Sequence, residues 1–174
     1  GLAFVDVHRH QARRGFSEPK ELQGPTGERN MLSLHGRGVF ACISPWNFPI
    51  AIPAWKMAPA LAYGNTVVFK PADLVPGSAW ALVEIASRAG LPKGVLNLVM
   101  GRGSVVGQSM LNSRDVNAVS FTGSVGTGAK VAQACVARGA KFQLEMGGKN
   151  PLIVLNDANL DAAVAGAVDG AFFQ

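Results

Sequence analysis

Apolar and polar positions change rhythm at Gly38. From there on, short runs rich in β-branched residues alternate with longer stretches of helical period. That alternation is the sign of a parallel sheet with covering helices. The short runs predict strands at 39–44, 66–70, 95–99, 116–121, 142–145 and 152–155, and the stretches between them predict helices near 51–63, 77–89, 105–112, 125–138 and 160–173. Gly90 and Gly139 stand where a helix takes a C-cap glycine, and Pro92 follows the first of them. Ahead of Gly38 the pattern differs. Residues 9–37 are polar, carry Gly15, Pro19, Gly24, Pro25 and Gly27 and hold no period, so they read as a loop or hairpin leading in. The expected organisation is a lead-in over 1–37 and one α/β domain over 38–174, a doubly wound parallel sheet.

Composition narrows this picture without changing it. A chain of 174 residues, 48% hydrophobic and with no apolar run long enough to cross a bilayer, fits one soluble globular domain or the larger part of one. The formal charge of +5 invites a nucleic-acid reading, yet Lys and Arg are scattered and only Arg13-Arg14 are adjacent. A binding face normally clusters its charge, so no nucleic-acid partner is expected. Cys42 and Cys135 lie in apolar surroundings on different elements, with no framework or metal spacing. Reduced thiols, a cytoplasmic setting and no metal site follow as expectations. The first residues, Gly1-Leu2-Ala3-Phe4-Val5, carry neither an initiator methionine nor a signal pattern, and read as a cut into a longer protein.

Candidate chemistry gathers where apolar runs meet turns. Pro45-Trp46-Asn47-Phe48-Pro49 sets an aromatic-flanked amide between two prolines directly after a predicted strand. Proline cannot donate to a ladder and restricts the residue before it, so the strand ends there and Asn47 sits on a stiff turn. Phe69-Lys70-Pro71-Ala72-Asp73, Phe121-Thr122-Gly123-Ser124 and Leu144-Glu145-Met146-Gly147-Gly148-Lys149-Asn150-Pro151 are three further junctions of this kind. A doubly wound sheet binds ligands at the carboxyl ends of its strands, where all four fall. Asp73 could take hydrogen bonds from ribose hydroxyls with Lys70 beside it, although taken alone Lys-Pro-Ala-Asp reads as an ordinary solvated turn. The glycine-rich turns at Gly101-Arg102-Gly103 and Gly123-Ser124 depart from the Rossmann fingerprint, but each opens a helix whose free amides suit a phosphate. At a strand end beside two glycines, desolvation would raise the pKa of Glu145 toward proton-transfer range; a structural carboxylate paired with Lys149 or Lys56 is the other reading.

The four junctions, in this order, resemble the NAD(P)-dependent aldehyde dehydrogenase superfamily over 36–174. The resemblance implies a Rossmann-like cofactor domain and an oxidoreductase that converts an aldehyde to its acid with NAD or NADP as hydride acceptor. It implies Asn47 as oxyanion donor, Glu145 as general base and Lys56 in a proton relay, with a snorkelling surface lysine as the alternative for Lys56. It places Ile43, Ser44, Pro45, Trp46, Lys70, Asp73, Gly101, Gly103, Phe121, Gly123 and Ser124 along the cofactor, and Phe48, Ile52 and Trp55 along the aldehyde tunnel or in the core. The carboxylate of Asp73 favours NAD over NADP. A homodimer or homotetramer is the implied assembly.

Three stretches, 50–56, 70–82 and 143–151, look most like the 2-oxoglutarate semialdehyde (2,5-dioxopentanoate) dehydrogenases within that superfamily. The family's nucleophilic cysteine follows a motif that would begin at Phe172-Phe173-Gln174, so Cys42 and Cys135 are assigned to packing. A non-catalytic dinucleotide-binding fragment is therefore the alternative. A short-chain reductase is disfavoured, because the only tyrosine, Tyr63, has no lysine four residues on.

Overall fold

The computed structural model describes residues 2–16, 18–148 and 151–172. The chain opens with α1 (Leu2–Phe16) and a small antiparallel hairpin of β1 (Lys20–Leu22) and β2 (Asn30–Leu32). Then follow β3 (Val39–Ile43), α2 (Ala51–Ala62), β4 (Thr66–Lys70), α3 (Pro76–Arg88) and β5 (Leu96–Leu98). A π-helical turn over Gly103–Gly107 runs into the short α4 (Gln108–Asn112). The last elements are β6 (Val116–Gly123), α5 (Val125–Ala137), β7 (Lys141–Met146) and α6 (Leu160–Phe172).

Strands β3 to β7 form one parallel sheet in the order β5-β4-β3-β6-β7. Period-two alternation decides what each face carries. On one face Ala41, Val119 and Phe121 meet Met110 and Leu111 of α4 and Val131 and Cys135 of α5. On the other, Cys42, Val67 and Phe69 meet Met57 and Ala60 of α2 and Ala79 of α3. Helices thus cover both faces, and the sheet is doubly wound as the sequence pattern predicts.

Two expectations need correction. Residues 9–16 are helical rather than loop, because α1 packs on α2: Tyr63 stacks against Phe16 at a centroid distance of 4.9 Å and meets His8 edge-on. Ala12 is the buried apolar residue of that helix among those described, so the segment shows no apolar stripe in the sequence. Packing rather than period makes it a helix. Residues 152–155 form no strand among the described residues; Leu152, Ile153, Val154 and Leu155 are exposed and join no ladder there, and the Leu155 carbonyl accepts from the Ala158 amide in a turn. β-branched character cannot make a strand without a neighbouring ladder. Phe173, the last residue of the predicted final helix, lies outside the described residues.

Candidate functional site

The chain leaves β3 through α2 on one face of the sheet and leaves β6 through α5 on the other, although the two strands are neighbours. Their carboxyl ends therefore open into a crevice, the topological switch point of the fold. Ser44 is the first residue past β3. Its amide donates to the Lys70 carbonyl at 3.2 Å, while its hydroxyl is buried with no partner among the described groups. Such an orphan costs about 1–3 kcal/mol. A ligand bringing a polar group to this point would recover that cost.

Across the crevice, Ser124 caps α5: its Oγ accepts from the Thr127 amide at 3.3 Å and donates to Thr127 Oγ1 at 2.9 Å. No acidic residue occupies the first turn of α5, so the free amides and the positive end of the helix dipole face the opening unopposed. Gly123 is obligatory here, because a Cβ would stand 2.6 Å from the Phe121 ring. Phe121 itself is buried in the α5 core, as Ile43 partly is, and what it offers the crevice is support for the Gly123 turn. Pro45 is half-buried; Trp46 and Asn47 are exposed on the turn before α2.

At the next strand end, Lys70 Nζ donates to Asp73 Oδ1 and to the Pro71 carbonyl, both at 2.8 Å. The lysine side chain is 5% exposed and the carboxylate 47%, so Asp73 is the member of the pair that a ligand can reach. Past β5, Gly101 has φ +138 and its Cβ would meet Val106 at 2.8 Å, which fixes glycine at that turn. Gly103 begins the π-helical turn, where the sequence pattern predicts only a helix from 105 onward.

A second concavity of about 950 Å³ lies over β6 and β7 on the α2 side of the sheet. Ile52, Trp55 and Lys56 of α2 face Ser120, Thr122, Gln143 and Glu145 across it; Phe48 and Asn47 are not among its lining residues. Lys56 is only 7% exposed, so it is no snorkelling surface lysine. Its Nζ donates to Ser120 Oγ at 3.0 Å, that hydroxyl donates to Gln143 Oε1 at 2.7 Å, and Gln143 Nε2 donates to Glu145 Oε1 at 2.7 Å. Burial holds the lysine below its usual pKa, while Cys42 and Glu145 pull the other way.

This arrangement corrects the expected burial of Glu145, which is exposed and oriented by Gln143 rather than desolvated. Lys56 reaches it only through two intermediates, and Lys149 lies outside the described residues. Ser120 and Gln143 were not singled out in the sequence. Their signal was the alternation of Lys141-Phe142-Gln143-Leu144-Glu145, which with the register Ser120↔Gln143 and Thr122↔Glu145 puts every second residue on the open face.

Both cysteines are buried, and burial pushes the Cys42 thiol up to about 12 against the opposing pull of Lys56. A group whose neutral form is so strongly favoured is inert as a nucleophile. Among the described residues no cluster of His, Cys, Asp and Glu could hold a metal ion, and no helix is long and apolar enough to cross a membrane.

Known proteins share this arrangement of elements. The chain is 58% identical over 171 residues to the alpha-ketoglutaric semialdehyde dehydrogenase of Bacillus subtilis (strain 168), covering 97% of this chain and 35% of that protein. It is 50% identical over 137 residues to the 2,5-dioxopentanoate dehydrogenase of Saccharolobus solfataricus, covering 78% of this chain and 29% of that one. The crystal structure of PnpE in complex with nicotinamide adenine dinucleotide superposes with a TM-score of 0.87 at 40% identity, over 98% of this chain and 34% of its own. A lactaldehyde dehydrogenase structure does so with a TM-score of 0.88 at 43% identity, over 98% of this chain and 35% of its own. The chain thus spans about a third of the length of the relatives it matches. Residues 2–174 match the model of the aldehyde dehydrogenase family, and with it the four junctions, the switch-point crevice and these relatives place the chain in that family.

Proposed function

We propose that this chain supplies the dinucleotide site and the general base of an NAD-dependent dehydrogenase that oxidises a small semialdehyde, 2-oxoglutarate semialdehyde being the best candidate, to its acid. The observation that carries the reading is the switch-point crevice, where the orphan Ser44 hydroxyl, the uncontested N-terminus of α5 and the Lys70–Asp73 pair stand at the ends of three adjacent strands. NAD, when bound, supplies the hydride acceptor. Ser124 and the first amides of α5 would hold its pyrophosphate, with Gly101 and Gly103 further along the same edge. Asp73, the exposed member of its pair, would accept from the adenine ribose, and its charge disfavours a 2′-phosphate.

Around the aldehyde, Asn47 is the donor for the carbonyl oxygen as negative charge develops there. The attacking thiol is neither Cys42 nor Cys135, both of which are buried. Glu145 takes the proton from the water that releases the acid. An amide passes no proton, so with Gln143 standing between them Lys56 acts on Glu145 by charge and orientation. Phe48, Ile52 and Trp55 give the approach its apolar wall. The resemblance supports a homodimer or homotetramer in the cytoplasm as the working assembly.

The test is made on the protein that carries this chain at the full length of its relatives. Glu145→Gln is expected to leave NAD binding unchanged and to slow acid release about 10²–10⁴-fold. Asp73→Ser is expected to move the preference from NAD toward NADP. Near wild-type turnover in the first variant reassigns Glu145 to structure, and unchanged cofactor preference in the second removes Asp73 from the ribose.

A further inference from the structure

The edge of the sheet opposite the crevice carries a cluster that none of this chemistry uses. Arg37 stands two residues before β3, Arg114 two residues before β6, and Arg138 is the C-cap of α5, three residues before β7. Because β3, β6 and β7 are adjacent and parallel, the three arginines come together at one amino-terminal edge, where they line a cavity of about 370 Å³ with Asn117 and Gly139. Strand β6 separates it from Ser124 by roughly 25 Å at 3.3 Å per residue. The two sites are distinct.

Three guanidinium groups around one cavity repel each other unless something negative joins them. Among the described residues, ion pairs link Arg9 to Asp6, Arg29 to Glu21, Lys70 to Asp73 and Arg88 to Glu84, and none engages Arg37, Arg114 or Arg138. Asp115, beside Arg114 in the chain, does not line the cavity. Arg138 is anchored by Nη1, which donates to the Val116 carbonyl. Its Nε and Nη2 are buried and lack a hydrogen-bond partner, with only the weakly accepting Cys135 thiol beside the guanidinium. Buried charged donors are rarely left this way, since each costs more than a neutral orphan. Asn117, which shares the cavity, directs its Oδ1 to the Val39 amide at 2.8 Å and makes no hydrogen bond to them.

We propose that this cavity is an anion site for a phosphoryl group, either free phosphate or a small organic phosphate. A guanidinium fork matches a phosphoryl oxygen pair, the orphaned Arg138 donors supply a buried anchor, and the exposed Arg37 and Arg114 close over the ligand from two other strand ends. The volume admits a phosphate with a few carbons and not a dinucleotide. Arg37 also lines the concavity over β6 and β7, whereas Arg114 and Arg138 do not; the inference stands apart from the proposed oxidoreductase activity because no residue given a role in that activity takes part.

Calorimetric titration of the full chain decides it, with inorganic phosphate and glycerol 3-phosphate as probes and ionic strength held constant with chloride. Saturable binding is expected, weakened at least tenfold by Arg37→Gln and by Arg114→Gln. Both are exposed residues whose replacement leaves the core untouched, and circular dichroism checks that the variants keep the fold. Lys130→Gln, which removes an exposed cation of α5 that lines neither cavity, is expected to leave the affinity unchanged. Tighter binding of glycerol 3-phosphate identifies an organic phosphate, and tighter binding of inorganic phosphate the free anion. Absence of saturable binding, a loss smaller than tenfold in both arginine variants, or an equal loss caused by Lys130→Gln overturns the proposal.

Discussion

The two faces of strand β6 were built from one run of residues and ended with opposite tasks. Toward α4 and α5 it presents Val119 and Phe121, both buried in a closed apolar core. Toward α2 it presents Ala118, Ser120 and Thr122, lining an open concavity in which a buried lysine, a hydroxyl, an amide and a carboxylate are joined by hydrogen bonds. The closed face is held by non-directional burial, which tolerates similar shapes. The open face depends on donors and acceptors meeting at about 3 Å, which tolerates little. Stability and chemistry are thus separated by the pleat of a single strand rather than by distance.

That separation can be broken on either side. The largest effect is expected from Phe121→Ala, which opens a cavity under α5 and removes support from Gly123; chemical denaturation should show a loss of about 3–5 kcal/mol. Thr122→Ala, one residue on and facing the other way, is expected to stay near 0.5 kcal/mol, roughly the range of ordinary surface changes. Comparable losses in the two would mean that the faces are not energetically distinct.

A smaller effect is expected from Ser120→Ala, which strips Lys56 Nζ of its hydroxyl partner and should cost about 1–3 kcal/mol. Lys56→Met removes the buried charge that makes the loss costly, so the double variant should be less destabilised than the sum of the singles. The sign with pH follows from the depressed pKa. The folded state disfavours the lysine cation, so this penalty is full below the folded pKa and fades as pH rises through it toward 10.5. Lys56→Met should therefore help most below that depressed pKa and cease to help as pH rises past 10.5. A pH-independent difference would place the effect in packing alone.

The smallest effect at neutral pH belongs to Cys42. Its folded pKa is raised to about 12 from 9.0, so its contribution to stability is complete below 9.0 and is lost as pH rises through about 12. Alkaline unfolding followed by circular dichroism should be shallower in Cys42→Ala than in the parent chain. Identical alkaline limbs would mean that other groups govern that transition.

Much of this architecture was legible in the chain because period and punctuation agreed. The strand at 66–70 lies between Gly64 and Pro71, and the observed β4 keeps those bounds. The junctions at Asn47, Lys70, Ser124 and Glu145 were readable because each couples a strand end to a residue that can only make a turn. What could not be read depended on neighbours distant in sequence. Helix α1 needs Tyr63 to receive Phe16, and residues 152–155 have the composition of a strand but no ladder to join. Nor could the exposure of Glu145 be foreseen, since it depends on which elements pack over β7 on the α2 side, and among the described residues none covers the carboxylate. Gln143 and Ser120 became partners through a parallel register across 23 residues, which local pattern does not encode.

Register also sets how this site can change over evolutionary time. In β7 the odd positions Lys141, Gln143 and Glu145 line the open concavity, and the intervening Leu144 packs toward the opposite core. One residue inserted at the Gly139-Ala140 turn, with β7 keeping its place against β6, would bury the glutamine and the carboxylate and turn the leucine outward. Two inserted residues would restore the parity while advancing every side chain by one pleat, setting Gln143 rather than Glu145 opposite Thr122. Lineages descended from this chain can therefore lengthen the turn before β7 so long as the turn itself absorbs the added residues; an odd number passed into the strand surrenders core and site together.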